Sequence, residues 1–106
     1  LKNFDLSKKY LFFCGIGSPE NFKDTLLKNN FQIIDQIIFP DHHDFKKKDI
    51  IEIKNKANKI NANIVTTEKD FIKIPQIDKK EIDFLEVDLQ IENEEDLIDF
   101  LRAKKQ

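Results

Sequence analysis

Both histidines of the chain are adjacent, His42 and His43, and a carboxylate, Asp41, directly precedes them. Imidazole changes charge near neutral pH, so this group is suited to accept or share a proton in a catalytic or substrate-binding role. The alternative is that these residues have a structural role and form hydrogen bonds within the fold. Metal binding is disfavoured because adjacent side chains point apart, and because a closed zinc site usually draws on several cysteines, of which this chain has one.

Two further polar segments follow short apolar runs. The first contains Gly15 and Gly17, which could cradle a phosphate, but Glu20 replaces the third glycine of a dinucleotide-binding fingerprint and favours an ordinary turn. The second consists of Thr66, Thr67, Glu68, Lys69 and Asp70. The simplest interpretation of this segment is the start of a helix, because Thr67 and Asp70 have the spacing of a capping box.

The apolar pattern predicts elements that position these segments. Buried strands are expected over residues 10–14, 31–39 and 63–67, each followed by a helix, over residues 19–30, 50–60 and 68–73. A bulged or edge strand over residues 82–89 and a helix over 94–101 complete the chain. The first helix should bury Phe22, Leu26 and Leu27, and the expected core is Phe13, Ile33, Ile37, Ile50, Ile53, Val65 and Leu97.

Successive strand-helix units predict the fold class. They indicate an α/β three-layer sandwich, in which a mostly parallel sheet of about four strands carries helices on both faces, as in Rossmann-like domains. The carboxyl ends of parallel strands lie at one sheet edge, where open α/β sheets bind their ligands. The three polar segments should therefore converge at that edge.

Composition limits the function classes. A chain of 106 residues with 40% hydrophobic content suits a single domain, and 18 basic against 20 acidic residues argue against nucleic acid as a partner. Cys14, the single cysteine, lies in an apolar run, so a buried reduced thiol and a cytoplasmic setting are expected. No apolar run approaches the roughly 18 residues of a transmembrane segment. The absence of methionine suggests a piece of a longer protein.

Three segments resemble, in order and spacing, the C-terminal region of the tetraacyldisaccharide 4'-kinase family: FCGIGSPENF at residues 13–22, FPDHH at 39–43 and VTTEKD at 65–70. The resemblance implies transfer of the γ-phosphate of ATP to the 4'-hydroxyl of a lipid A disaccharide 1-phosphate, giving lipid IVA. It implies ATP and Mg²⁺ as cofactors and the cytoplasmic face of the bacterial inner membrane as location. A Walker A loop needs two glycines five positions apart, followed by Lys and Ser or Thr, and the two glycines of the chain, Gly15 and Gly17, do not have this spacing. Residues 1–106 would then be the C-terminal domain, inactive alone, of a kinase whose N-terminal domain binds the nucleotide.

The resemblance also implies residue roles. His42 would pair with a catalytic aspartate of the N-terminal domain, with Asp41 and His43 as a ligand or orienting shell. The cleft to the substrate or to the other domain would be lined by Gly15, Gly17, Thr66, Thr67, Glu68, Lys69 and Asp70, with no metal site in this chain alone. Adjacency does not decide which imidazole faces the cleft. Asp44 and Lys46 depart from the family pattern and leave the start of the second helix uncertain.

Two other classes stay open from the sequence. One is a metal-dependent phosphoesterase of the Asp-His-His type, which also needs a metal-binding aspartate motif after an upstream strand. The strand before the glycines carries no such motif. The other is a non-catalytic Rossmann-like binding module.

Overall fold

The computed structural model describes residues 4–86, which fold around one four-stranded sheet. Its strands are β1 (Lys9–Cys14), β2 (Gln32–Ile38), β3 (Asn63–Thr67) and β4 (Ile82–Leu85). The strand order is β2-β1-β3-β4, and every neighbouring pair is parallel. Parallel pairing confirms the predicted α/β class.

Helices lie on both faces of the sheet: α1 (Pro19–Lys28), α2 (Lys47–Lys59) and the short α3 (Glu68–Phe71), followed by a 3₁₀ turn (Gln76–Asp78). Side chains of β1 alternate between two cores. On the α1 face the buried set is Tyr10, Phe12, Cys14, Phe22, Leu26, Phe31 and Val65. On the α2 face it is Leu11, Phe13, Phe45, Ile50, Ile53, Ala57, Ile64, Ile74 and Ile82. The predicted three layers are therefore present.

Local sequence signals located several element ends well. The strand predicted over residues 63–67 has those bounds, and α1 begins at Pro19 with Ser18 as its N-cap residue, although the Ser18 side chain makes no capping hydrogen bond. The Thr67 hydroxyl accepts the N–H of Asp70 at 3.0 Å, as the capping spacing predicts. The helix that it opens ends at Phe71, two residues earlier than expected.

Strand β2 differs from the buried strand that was predicted. It lies at the sheet edge and pairs with β1 alone, with a register irregularity opposite Tyr10 and Leu11. Ile34 and Ile38 are consequently 43% and 42% exposed, and Ile33 and Ile37 are half-buried rather than in the core. The segment pairs apolar residues with Gln32, Asp35 and Gln36, and this pattern does not indicate which strands lie beside it, so the strand order decided the burial.

Among the other predicted core residues, Phe13, Ile50, Ile53 and Val65 are buried, as expected. Leu27 is 47% exposed, so its prediction as a buried residue was wrong: α1 contacts the sheet through the side that carries Phe22 and Leu26.

Strand β4 lies at an edge as predicted. The strand was predicted to continue to residue 89, but β4 ends at Leu85 and Glu86 is not part of it. Residues 87–89, the predicted helix over residues 94–101 and Leu97 lie outside the described residues. Within residues 4–86, no helix has the length and apolar character needed to cross a bilayer.

Candidate functional site

Three loops meet where strands β1, β2 and β3 end, at the carboxyl edge of the sheet. The N–H of Gly15, after β1, donates a hydrogen bond to Oδ2 of Asp70, after β3, at 2.9 Å. The carbonyl of Gly15 accepts the N–H of His42, after β2, at 3.0 Å. Gly15 therefore connects the loops that the sequence predicted would converge.

The two glycines lie close to the loop that follows β2. A Cβ at Gly15 would be 3.1 Å from both the Cβ of His43 and the carbonyl oxygen of Pro40, and a Cβ at Gly17 would be 3.2 Å from Oδ2 of Asp41. Neither glycine has a positive φ. Lack of space, rather than backbone conformation, therefore favours glycine at position 15, where one neighbour is a backbone oxygen. At position 17 the close atom is the tip of the half-exposed Asp41 carboxylate, which can move aside.

The side chain of His42 is accessible while its backbone is fixed. Its imidazole is 77% exposed, and Nε2 lies 3.8 Å from Oδ2 of Asp41, whose side chain is 53% exposed. The φ of His42 is 63°, in the left-handed region that non-glycine residues seldom adopt. An accessible imidazole beside a carboxylate can exchange a proton with a group that approaches this edge.

His43 has a different environment from its neighbour. Its ring stacks on Phe39 with centroids 4.6 Å apart and meets the edge of Phe45 at 4.9 Å. Its Nε2 lies 2.9 Å from Oδ2 of Asp49, and the side chain is 24% exposed. The structure thus places His43 against the protein and His42 toward solvent, a distinction that adjacency in sequence left open.

Asp49 takes part in this arrangement and was missed by sequence reasoning. Its carboxylate accepts the N–H of Lys46 at 2.9 Å as well as contacting His43. The Lys46 bond, followed by the His43 bond, lowers the pKa of Asp49 below its usual value. An acid three residues after the helix N-cap is the available signal, since that is the capping-box position.

The third loop lies mostly beneath the surface. Thr66, Thr67 and Asp70 are buried, whereas Glu68 and Lys69 are exposed. The Thr66 hydroxyl donates to the carbonyl of Phe13 at 2.7 Å, and the Thr67 hydroxyl donates to Oδ2 of Asp70 at 2.9 Å. In this arrangement, Glu68 and Lys69 are the members of the segment that a ligand can reach.

Residues 4–86 contain no group of three His, Cys, Asp or Glu side chains placed to hold a metal ion. The glycine loop before α1 lacks the Lys-Ser/Thr pair of a nucleotide-binding loop, since Ser18-Pro19 follows Gly17. Among the described residues, therefore, neither a three-ligand metal group nor a Walker-type nucleotide loop is present. What the edge does offer is the accessible His42 and its carboxylate neighbour.

The fold and this edge define the chain as a Rossmann-like α/β domain, with polar loops gathered at the carboxyl ends of parallel strands. The profile of the family described as tetraacyldisaccharide-1-P 4'-kinase matches residues 2–106. The chain therefore belongs to the tetraacyldisaccharide 4'-kinase family, as the three sequence motifs predicted.

Curated relatives support the assignment. The tetraacyldisaccharide 4'-kinase of Pelagibacter ubique (strain HTCC1062) is 38% identical over 97 residues, which are 92% of this chain and 31% of that protein. The enzyme of the same name from Rickettsia akari (strain Hartford) is 36% identical over 104 residues, 98% of this chain and 32% of that protein. The chain thus spans about a third of the length of these relatives. No solved structure gives a significant match to it.

Proposed function

We propose that this chain is the C-terminal domain of an ATP-dependent lipid kinase. The complete protein phosphorylates the 4'-hydroxyl of tetraacyldisaccharide 1-phosphate and yields lipid IVA, a step of lipid A biosynthesis at the cytoplasmic face of the bacterial inner membrane. Family membership and the names of the relatives support this proposal, and the one-third coverage of those relatives supports a domain of a longer enzyme.

ATP and Mg²⁺ belong mainly to the N-terminal domain in this proposal. The two glycines of the chain, Gly15 and Gly17, are two positions apart rather than five, and no Lys-Ser/Thr pair follows them, so they do not form a Walker A loop. The described part of the chain has no three-ligand metal group. The task of this domain is then to present its loop edge to the nucleotide-binding domain. The isolated chain is expected to be inactive.

His42 is the residue that we propose acts in catalysis. In the reaction, a bond forms between the sugar 4'-oxygen and the γ-phosphorus, and the bond from that phosphorus to the β,γ-bridging oxygen of ATP breaks. The proton of the 4'-hydroxyl goes to a base, which we propose is an aspartate of the N-terminal domain that His42 orients or polarises. The observation that carries this role is the 77% exposed imidazole on a backbone held by Gly15.

The neighbours of His42 have supporting roles in the proposal. Asp41, with Oδ2 3.8 Å from the His42 Nε2, orients that imidazole, and His43 holds the loop through Phe39 and Asp49. Gly15 and Gly17 allow the loops to approach. Glu68 and Lys69 line the interdomain or substrate cleft, while Thr66, Thr67 and Asp70 support it from beneath.

Phosphate transfer by the complete protein tests the proposed function. Radiolabelled phosphate from the γ position of ATP should appear on tetraacyldisaccharide 1-phosphate in the presence of Mg²⁺, and a His42→Ala variant of the same protein serves as the matched control. Reading the coding sequence upstream of Leu1 provides a second test. A glycine-rich Lys-Ser/Thr motif is expected there, and a complete reading frame without one would contradict the kinase assignment.

A further inference from the structure

We propose that Asp70 is a positioning residue that fixes the His42 loop through the backbone of Gly15. The positioning itself does not depend on the proposed function, because both hydrogen bonds lie within this domain. Only its effect on catalysis rests on the proposed function. Asp70 Oδ2 accepts the Gly15 N–H at 2.9 Å, and the Gly15 carbonyl accepts the His42 N–H at 3.0 Å. Two hydrogen bonds therefore connect the buried carboxylate of Asp70 to the backbone of His42, the residue that carries the exposed imidazole.

Asp70 is fully buried, which is costly for a carboxylate unless donors compensate it. Both of its side-chain hydrogen bonds, from Gly15 N–H and from the Thr67 hydroxyl, fall on Oδ2. Oδ1 has no hydrogen-bond partner, and the Lys73 ammonium lies 3.9 Å from it. A buried carboxylate oxygen without a hydrogen-bond partner calls for an explanation beyond fold stability.

Helix capping does not supply that explanation. The cap of α3 comes from the Thr67 hydroxyl, which accepts the backbone N–H of Asp70, and this bond would form with any residue at position 70 except proline. The carboxylate itself reaches Gly15, 55 positions away in sequence. Its particular contribution is therefore to orient the glycine loop.

His42 needs such support because its φ of 63° is an unfavourable conformation for a residue with a side chain. The Gly15 carbonyl supplies the acceptor for the His42 N–H, so its position determines where the imidazole projects. Gly15 is also confined by His43 and Pro40, each 3.1 Å from the position of an added Cβ. Removing the Asp70 acceptor should therefore loosen the backbone at Gly15.

The first test is amide hydrogen exchange of this chain, followed by NMR, in Asp70→Ala and Asp70→Asn variants. In Asp70→Ala, the protection of the Gly15 and His42 amides should fall by at least about tenfold relative to that of Phe12 in β1, which corrects for global destabilisation. Asp70→Asn should retain most of the protection, because an amide oxygen at the Oδ2 position still accepts both bonds.

The matched control is Asp78→Ala. It removes another largely buried carboxylate, which pairs with Lys47 Nζ at 3.2 Å and has no hydrogen bond to the His42 loop. In this variant, the protection of the Gly15 and His42 amides relative to that of Phe12 should stay within a factor of two of the value in the unaltered chain. Unchanged His42 protection in Asp70→Ala, or an equal loss in Asp78→Ala, would overturn the inference.

A measurement on the unaltered chain covers the case in which Asp70→Ala does not fold. Scalar couplings across hydrogen bonds should connect the Gly15 nitrogen with the Asp70 carboxyl carbon, and the His42 nitrogen with the Gly15 carbonyl carbon. Absence of both, in a spectrum that resolves the couplings between β1 and β3, would refute the proposed connection.

The catalytic consequence is tested in the complete kinase. Asp70→Ala should lower kcat by about tenfold or more with KM for ATP unchanged, and Asp70→Asn should restore most of it. If hydrogen exchange shows a loosened loop but kcat is unchanged in both Asp70→Ala and His42→Ala, then His42 has no catalytic role, and the positioning of its loop by Asp70 still stands. A loosened loop with kcat lost only in His42→Ala would show that Asp70 does not position the imidazole for catalysis.

Discussion

The imidazole Nε2 of His43 lies 2.9 Å from Oδ2 of Asp49, the same carboxylate oxygen that accepts the backbone N–H of Lys46. The N-cap residue of α2 is Lys46, whose side chain has no acceptor. Asp49 therefore satisfies the Lys46 amide at the helix start and ties His43 to that start. This pairing explains how α2 begins at Lys47 without a serine or threonine cap.

The stabilisation from this pairing should depend on pH. Because the folded-state pKa of Asp49 is lowered, its contribution is complete above the ordinary carboxyl pKa of 3.8 and is lost as the pH falls through the lowered value. Asp49→Asn should therefore lower the free energy of unfolding by about 1 kcal/mol at pH 7, and the difference should shrink below pH 3.8. Urea denaturation between pH 7 and pH 2.5 measures it.

Glu52→Gln is the control for that series. Glu52 lies exposed on the same helix, so this change should alter stability by less than about 0.5 kcal/mol at pH 7. A difference between Asp49→Asn and the unaltered chain that stayed constant down to pH 2.5 would show that the Asp49 charge is not what stabilises the helix start.

The two histidines should separate into different phenotypes in the complete kinase. His42→Ala should lower kcat by roughly 10²-fold or more, the size of a lost contribution to general-base catalysis, with little change in the melting temperature or in KM for ATP. His43→Ala should lower the melting temperature, because it removes the ring between Phe39 and Asp49, and should affect kcat less. Steady-state kinetics and thermal melts of both variants, read together, would reject this division if the effects were reversed.

Cys14 should be inert in the folded chain. It is fully buried, and burial, followed by the nearby charge of Asp70, raises its pKa to about 12. Ellman's reagent at pH 8 should leave the native thiol unmodified over minutes and titrate one thiol per chain in guanidinium chloride. A Cys14→Ser variant provides the blank, and rapid stoichiometric reaction of the native chain would contradict the burial.

The isolated chain should not bind ATP·Mg²⁺ tightly. It lacks a Walker A loop, and its described residues lack a metal-ligand cluster. We therefore expect no specific binding of the ATP phosphates or of the Mg²⁺ that accompanies them. Isothermal titration of the chain with ATP and Mg²⁺ should give no binding at micromolar concentrations, with ADP as a parallel titrant. A micromolar dissociation constant for ATP would place the nucleotide site in this domain and overturn the proposed division of labour.

The sequence by itself determined the features that depend on neighbouring residues. Pro19 at the start of α1 and the Thr67 to Asp70 cap act within one turn, so their residue types suffice to predict them. Repeated strand-helix units implied parallel strands, and parallel strands place the three loops at one edge. Each family motif is a contiguous run of residues, which is why the motifs could be recognised before the structure.

Only the tertiary structure decided which side chains in those loops are accessible. His42 and His43 are identical in type and adjacent, and their exposure differs because Phe39 and Asp49 engage one ring. Asp70 has the spacing of a capping acid, yet its carboxylate accepts a bond from Gly15, brought beside it by the pairing of β1 with β3. Contacts between residues distant in sequence depend on strand order and loop approach, to which local periodicity is insensitive.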